Sequence, residues 1–214
     1  MMDIIQIPLS KMATFAYLAG DPESGDCVVI DPASDTKRIL QIARDKGWTI
    51  TQVINTHWHV DHTAGNGAMI RAVKVPLSIH RLDAPDLRSL AGKGLPFLLG
   101  GRPSPPADRL LEHGDIIGVG DEVLTVIHTP GHTKGGICLY TPGHVITGDT
   151  LFVGSVGRTD LSGGSLELLR QSIRKRIYSL PGNTIIWPGH NYGATVSSTV
   201  AHEKKTNPFI MSLN

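Results

Sequence analysis

Four apolar segments of this chain each lead into a short turn that carries histidine or aspartate. The segments are Ile50 to Thr56, Val123 to Ile127, Val145 to Thr147 and Thr184 to Trp187. Their composition is typical of β strands. Strand ends at one edge of a sheet bring together residues that are distant in sequence, because each strand holds its final residue at a fixed position. The chain is therefore predicted to be an α/β protein with one site at its strand ends.

The first of these turns has the pattern His-x-His-x-Asp-His and comprises His57, His59, Asp61 and His62. Residues two apart share a side only in extended chain, so His57 and His59 can bind one ion only if the backbone is extended there. Asp61 and His62 lie where the chain is expected to turn, and they form a second, adjacent set. Imidazole and carboxylate groups are ordinary ligands of zinc and iron. The turn is therefore predicted to bind metal.

The other three turns are Pro130-Gly131-His132, Gly148-Asp149-Thr150 and Pro188-Gly189-His190. With the first turn they supply five histidines and two aspartates, too many for one tetrahedral zinc ion but suited to two ions that share a bridging carboxylate. Asp149 is the predicted bridge. The first ion is predicted to be held by His57, His59 and His132, and the second by Asp61, His62 and His190.

The remaining histidines receive other interpretations. His80 also follows an apolar segment and is a possible support for a ligand. Surface or packing roles are predicted for His113, His128, His144 and His202.

Two metal ions would make hydroxide available at neutral pH, because the pKa of a metal-bound water falls from about 16 to about 7. Such a nucleophile attacks carbonyl or phosphoryl centres while the positive charge stabilises the developing oxyanion. Asp61 and Asp149 are the predicted catalytic carboxylates, and the sequence contains no Gly-x-Ser-x-Gly nucleophile motif. The pattern predicts hydrolysis without a covalent protein intermediate.

Composition limits the alternatives. The chain has 214 residues, of which 40% are hydrophobic and 18% charged, and no shift in composition divides it, so residues 1–214 are predicted to form a single domain. A net charge of +1 is unlike the basic surface of a nucleic-acid-binding protein. No apolar run approaches the roughly 18 residues of a membrane span, and no secretory signal is recognisable. The protein is expected to be cytoplasmic, with no nucleic-acid or membrane partner. The pattern leaves the oligomeric state open.

Local signals predict further elements. Asp35 is predicted to cap a helix that ends at Gly47, and Ser165 to cap another. Ala91 to Ala107 contains four glycines and four prolines and is predicted to be a long loop, either a flap over the site or a packed surface segment. Cys27 and Cys138 lie in predicted strands and are expected to be free and buried.

The order His-x-His-x-Asp-His, Pro-Gly-His, Gly-Asp-Thr and Pro-Gly-His resembles the metallo-β-lactamase fold superfamily over essentially the whole chain. Residues 148–153, 157–158 and 188–192 are similar to glyoxalase II, the hydroxyacylglutathione hydrolases. The resemblance implies a four-layer αββα sandwich with two divalent ions, usually zinc and sometimes iron or manganese. It implies hydrolysis of a small-molecule thioester such as S-lactoylglutathione.

The same resemblance implies substrate-binding roles for two residues. Arg158 and Tyr192 fall where those enzymes contact glutathione. Asp160 stands where they usually have a tyrosine, and the chain is more similar to short, single-domain glyoxalase-II-like hydrolases.

Two other functions remain open. A persulfide dioxygenase is a related alternative, because residues 157–160 and 195–200 are similar to segments there, and its single iron would be held by His57, His132 and Asp149. A non-catalytic metal-binding module is the second alternative. β-Lactam hydrolysis and RNA processing also occur on this fold; the absence of an export signal and the near-neutral charge argue against them.

Overall fold

Two six-stranded β sheets dominate the computed structural model, which describes residues 1–88 and 104–211. The first sheet contains, in spatial order, β1 (Asp3–Pro8), β2 (Phe15–Gly20), β3 (Asp26–Ile30), β4 (Thr49–Ile54), β5 (Leu77–His80) and β6 (Arg109–Leu111). Strands β1 to β3 are antiparallel and strands β3 to β6 are parallel. Residues 91–103 of the predicted Ala91 to Ala107 loop lie outside the described residues.

The second sheet comes from the other half of the chain. Its spatial order is β14 (Ser198–Thr199), β13 (Ile185–Pro188), β10 (His144–Gly148), β9 (Ile137–Thr141), β8 (Glu122–His128) and β7 (Ile116–Val119). Only β10 and β13 pair in parallel; the other neighbouring strands are antiparallel. A short ribbon of β11 (Leu151–Phe152) and β12 (Ser155–Val156) follows β10.

Helices connect the strands and cover the outer faces of the sheets. The described α helices are α1 (Thr36–Asp45), α2 (Val60–Thr63), α3 (Asn66–Val73), α4 (Leu166–Ser172), α5 (Val200–Thr206) and α6 (Pro208–Met211). Ala84–Arg88 is a 3₁₀ helix, and α4 continues as a π-helical turn over Ile173–Ile177. Within the described ranges, no helix is long and apolar enough to cross a membrane.

The two predicted helix caps have different outcomes. The Ser165 hydroxyl accepts a hydrogen bond from the Leu168 backbone N–H at 3.3 Å, so the predicted cap of α4 is confirmed. Asp35 precedes α1, but its carboxylate makes no cap; it accepts from the backbone N–H and hydroxyl of Ser10 at 2.8 and 3.1 Å. The prediction of an Asp35 cap was wrong, because Asp35 has a left-handed backbone (φ 55°) and its side chain binds a residue distant in sequence.

Alternation along the strands divides the interior into three apolar layers. In β3, Val29 packs with Ile39 of α1, while Val28 packs between the sheets. In β9, Leu139 lies in that central core, while Cys138 packs against Leu169 of α4. Successive strand residues point to opposite faces, so each sheet contributes to two cores. The result is a helix–sheet–sheet–helix order, and the predicted αββα fold is confirmed.

Backbone hydrogen bonds join the two sheets at one edge. The Ile137 N–H donates to the Thr56 carbonyl at 2.9 Å, and the Phe15 N–H donates to the Gly189 carbonyl at 2.8 Å. Thr14 and His190 also form an isolated bridge. The segment that follows β4 is therefore fixed beside β9 of the second sheet, and the segment that follows β13 is fixed beside β2 of the first.

Candidate metal centre

The His-x-His-x-Asp-His segment begins at His57, three residues after the end of β4. His59 has extended backbone angles (φ −59°, ψ 145°), and α2 starts at the next residue. The helix then carries Asp61 and His62 in its single turn. This change from extended chain to helix separates the first two ligand-type side chains from the last two, as the spacing predicts.

Three imidazole nitrogens meet in a first group. His132 Nε2 lies 3.3 Å from His57 Nε2 and 2.9 Å from His59 Nδ1. Zinc–nitrogen bonds of about 2.0–2.1 Å place tetrahedral ligands about 3.4 Å apart. The three nitrogens, all within 4.8 Å of one another, therefore have a spacing that one cation can bridge.

A second group lies beside the first. His62 Nε2 is 3.1 Å from His190 Nε2, which is 3.3 Å from a carboxylate oxygen of Asp61. His57 and His62 connect the groups, with ring centroids 4.2 Å apart. Helix α2 and the turn after β13 thus supply a second set of ligand atoms, again within 4.8 Å of one another.

The Asp149 carboxylate contacts both groups. Its Oδ1 lies 3.3 Å from His62 Nε2, and its Oδ2 lies 3.4 Å from Nε2 of both His132 and His190. Gly148 places it there: this residue has φ +47°, and a Cβ would lie 2.5 Å from the Thr56 hydroxyl. Because only glycine tolerates both constraints, the turn after β10 can approach the end of β4.

The second nitrogen of most of these rings is also bonded. His57 Nδ1 contacts the Thr56 hydroxyl at 3.1 Å, and His62 Nδ1 contacts the Asp31 carboxylate at 2.9 Å. His132 Nδ1 lies 2.7 Å from the Arg158 carbonyl, and His190 Nδ1 lies 3.0 Å from the Met12 carbonyl. Such contacts fix ring orientation and aim the free nitrogen at a ligand.

Asp31 belongs to this centre, and the sequence prediction omitted it. It is buried and follows β3 directly with a left-handed backbone (φ 51°). Its carboxylate accepts hydrogen bonds from the Thr56 backbone N–H at 2.8 Å and hydroxyl at 2.6 Å, besides contacting His62. A signal was present, because Asp31 ends an apolar strand in the same manner as Asp149.

The electrostatic environments of the two groups are opposite. In the first group, burial and the neighbouring His132 lower the pKa of His59 to about 4, and burial with the charge of His62 holds the pKa of His57 well below its ordinary value. In the second group, burial also favours neutral rings. There it is outweighed by hydrogen bonds to Asp149 and Asp61, which raise the pKa of His190 to about 9.

His62 of the second group and the shared Asp149 follow the same pattern. Burial lowers the pKa of His62, but the carboxylates of Asp149 and Asp31 outweigh it and hold that pKa well above its ordinary value. Burial raises the pKa of Asp149, but the charge of His62 and the hydrogen bond from His190 hold it well below its ordinary value. The second group therefore concentrates negative charge that a cation or protons must balance.

These residues fit a metal centre of two ions. The ligand atoms are imidazole nitrogens and carboxylate oxygens, the usual ligands of zinc and iron. The Asp149 Oδ1 is buried and makes no hydrogen bond within the described residues. A buried carboxylate oxygen that accepts no hydrogen bond is costly, and a cation beside it and His62 would satisfy it.

Comparison with known proteins identifies the family of this chain. The family model for the metallo-beta-lactamase superfamily matches residues 10–190. The chain belongs to the metallo-beta-lactamase superfamily. Its fold is that of the superfamily, and its relatives include proteins with two different named activities.

Three similar proteins illustrate this range. The mitochondrial persulfide dioxygenase ETHE1 of Bos taurus is 35% identical over 201 residues, covering 92% of this chain and 72% of that protein. A hydroxyacylglutathione hydrolase of a Polaromonas species is 38% identical over 182 residues, covering 83% of this chain and 62% of that protein. The crystal structure of TTHA1623 in a di-iron-bound form superposes with a TM-score of 0.82 at 33% identity, covering 96% of this chain and 99% of that one.

Arg158 and Tyr192 lie beside this superfamily centre. The Tyr192 ring stacks on His190 with centroids 4.6 Å apart and an interplanar angle of 8°, and the residue is 59% exposed. The Arg158 carbonyl contacts His132, while its exposed guanidinium donates to both oxygens of Asp160 at 2.7 and 2.8 Å. One exposed residue therefore contacts a histidine of each group.

The other histidines pack elsewhere in this superfamily fold. His80 is buried and stacks on the partly buried His128, with ring centroids 4.1 Å apart. Burial lowers the pKa of His80 to about 4 and also lowers the pKa of His128. His144 accepts a hydrogen bond from the Trp187 indole at 3.2 Å. These contacts agree with the predicted packing roles of His128 and His144, and they place His80 against a histidine outside the two groups.

Proposed function

We propose that the chain is a metal-dependent hydrolase that cleaves a small-molecule thioester, most closely a hydroxyacyl thioester of glutathione. The observation that carries the proposal is the position of Asp149, whose two oxygens reach imidazoles of both ligand groups. When bound, two divalent ions would supply a water of lowered pKa and positive charge for a developing oxyanion. Zinc is the proposed metal, with iron or manganese as alternatives.

Different residues of the chain are proposed to bind each ion and to orient the water molecule. His57, His59 and His132 are the proposed ligands of the first ion, and Asp61, His62 and His190 of the second, with Asp149 between them. The Asp61 side chain is 16% exposed, compared with 9% for Asp149. Asp61 is therefore the carboxylate that solvent or substrate reaches more readily, which supports its proposed role in orienting a water molecule.

Arg158 and Tyr192 are the proposed substrate contacts. A glutathione carrier bears carboxylates, and a guanidinium binds a carboxylate through two parallel hydrogen bonds. Arg158 already makes this contact with Asp160. Because exposed ion pairs contribute little stability, a substrate carboxylate can replace Asp160. The Tyr192 ring beside His190 offers an apolar surface to the acyl or carrier group.

A persulfide dioxygenase is the second candidate, supported by the 35% identity to the Bos taurus enzyme. Its single iron would be held by His57, His132 and Asp149. His132 Nε2 lies 3.3 Å from His57 Nε2 and 3.4 Å from Asp149 Oδ2, so these three side chains also suit one ion. The hydrolase is preferred because Asp61, His62 and His190 form a complete second group.

Elemental analysis followed by two parallel assays distinguishes the candidates. For the hydrolase, we expect two ions per chain and turnover of S-lactoylglutathione, which is lost after chelation and returns when metal is restored. For the dioxygenase, we expect one iron per chain and oxygen consumption with glutathione persulfide. Metal-loaded protein that carries out neither reaction would refute both assignments.

A further inference from the structure

Asp83 lies outside both ligand groups but contacts the loops that carry the first. It is 1% exposed and sits in the turn between β5 and the 3₁₀ helix. Its Oδ2 accepts a hydrogen bond from the Trp58 backbone N–H at 3.2 Å and another from the Thr133 hydroxyl at 2.7 Å. Its Oδ1 accepts from the Gly135 backbone N–H at 2.6 Å. One buried carboxylate therefore joins two segments more than 70 residues apart in sequence.

The close approach depends on glycine at position 135. A Cβ there would lie 2.6 Å from Asp83 Oδ1 and 2.7 Å from the Asp83 backbone nitrogen. Any larger residue would push the loop after β8 away from this carboxylate. The contact thus depends on the carboxylate at position 83 and on the glycine at position 135.

The contacted residues are immediate neighbours of the first group. Trp58 lies between His57 and His59, and Thr133 follows His132. We propose that Asp83 is a positioning residue that holds these two loops at the separation required for one ion to bind all three imidazoles. This inference rests on the metal centre of the proposed function.

The second group is supported by other residues. His62 is fixed by Asp31, and His190 by the Met12 carbonyl. No described hydrogen bond of Asp83 reaches Asp61, His62 or His190. The loss of the Asp83 carboxylate should therefore weaken the first ion selectively.

Asp83→Asn tests this with little change in shape. A carboxylate accepts at both oxygens, whereas a carboxamide has one accepting oxygen and one donating NH₂. Whichever way the amide is turned, the NH₂ faces the N–H of either Trp58 or Gly135. One of the two loops loses its buried acceptor. Changes to residues that support metal ligands typically reduce metal affinity 10- to 100-fold.

The experiment measures the two metal affinities of the full chain by competition with a chromophoric chelator, using Co²⁺ because its visible spectrum reports the ligand geometry around each bound ion. In Asp83→Asn we expect a 10- to 100-fold weaker first affinity, an altered Co²⁺ spectrum and an unchanged second affinity. Asp86→Asn, which removes the same charge three residues away, is the control and should leave both affinities unchanged. Equal weakening of both affinities, or of neither, would overturn the proposal.

A second pair of variants approaches the same contact from the other loop. Thr133→Val removes the hydroxyl that donates to Asp83, and Thr133→Ser keeps it. The first affinity should fall in the valine variant and recover in the serine variant; equal affinities in the two would overturn the proposal even if Asp83→Asn does not fold. Wild-type protein that binds two ions without hydrolysing thioesters would refute the proposed substrate and leave Asp83 supported, whereas wild-type protein that binds none would overturn both.

Discussion

Metal binding to the two ligand groups should respond differently to pH. A metal ion binds only the unprotonated imidazole nitrogen, so a proton on that nitrogen competes with the metal. Hydrogen bonds to Asp149 and Asp61 outweigh burial and raise the pKa of His190 to about 9, whereas burial lowers the pKa of His59 to about 4. At neutral pH, His190 of the second group must therefore release a proton before it can bind metal. His59 of the first group has already lost its proton.

The size of the pH effect on metal affinity follows from these pKa values. At pH 7, two units below the pKa of His190, only about one molecule in a hundred has that ring neutral. The apparent affinity of the second group is then about a hundredfold below its limiting value, equivalent to about 2.7 kcal/mol. It should rise at least tenfold for each pH unit up to about pH 9, because the pKa of His62 is raised as well. His59 adds no such dependence to the first group above about pH 5.

Chelator competition between pH 6.5 and 8.5 gives both affinities. Calorimetry in buffers of different ionisation enthalpy counts the protons released with each ion. The metal-free Asp61→Asn variant is the control, because it removes one of the hydrogen bonds that raise the pKa of His190. In this variant the NMR titration of the His190 ring should move to lower pH. The same pH slope for both affinities, or binding of the second ion without proton release, would refute the reasoning.

Four further predictions concern individual side chains. Asp149→Ala removes the carboxylate shared by the two groups, so bound metal should fall below one ion per chain and turnover by at least about 10²-fold; a fully loaded, active variant would contradict the bridging role. Arg158→Ala should mainly raise the KM for S-lactoylglutathione with little change in kcat, as loss of uniform binding does. Ile54→Ala opens a cavity in the core between the sheets, where Ile54 is fully buried, and should lower the free energy of unfolding in urea by about 2–5 kcal/mol. Burial raises the pKa of Cys27 to about 12 and that of Cys138 to about 11, so a thiol reagent at pH 8 should label both only after unfolding.

Much of the fold and of the candidate site was predictable from local sequence. The two faces of β3 and β9 follow from alternation of side chains along a strand, which needs no knowledge of the partner strands. The ligand-type residues were recognisable because His57, Asp149 and His190 each follow an apolar strand within three residues. Cys27 and Cys138 are buried and free, as their positions in apolar strands predicted.

Contacts between distant segments were decided only by the tertiary structure. Asp35 has the sequence context of a helix cap, yet its carboxylate binds Ser10. The residues that flank Asp31 and Asp83 in sequence do not indicate which segments these carboxylates contact, because those segments lie 25 to 52 residues away. Propensity and periodicity act over a few residues, so they determine which side chains end each strand. Which loops then meet, and which buried carboxylate holds them, depends on how the two sheets pack.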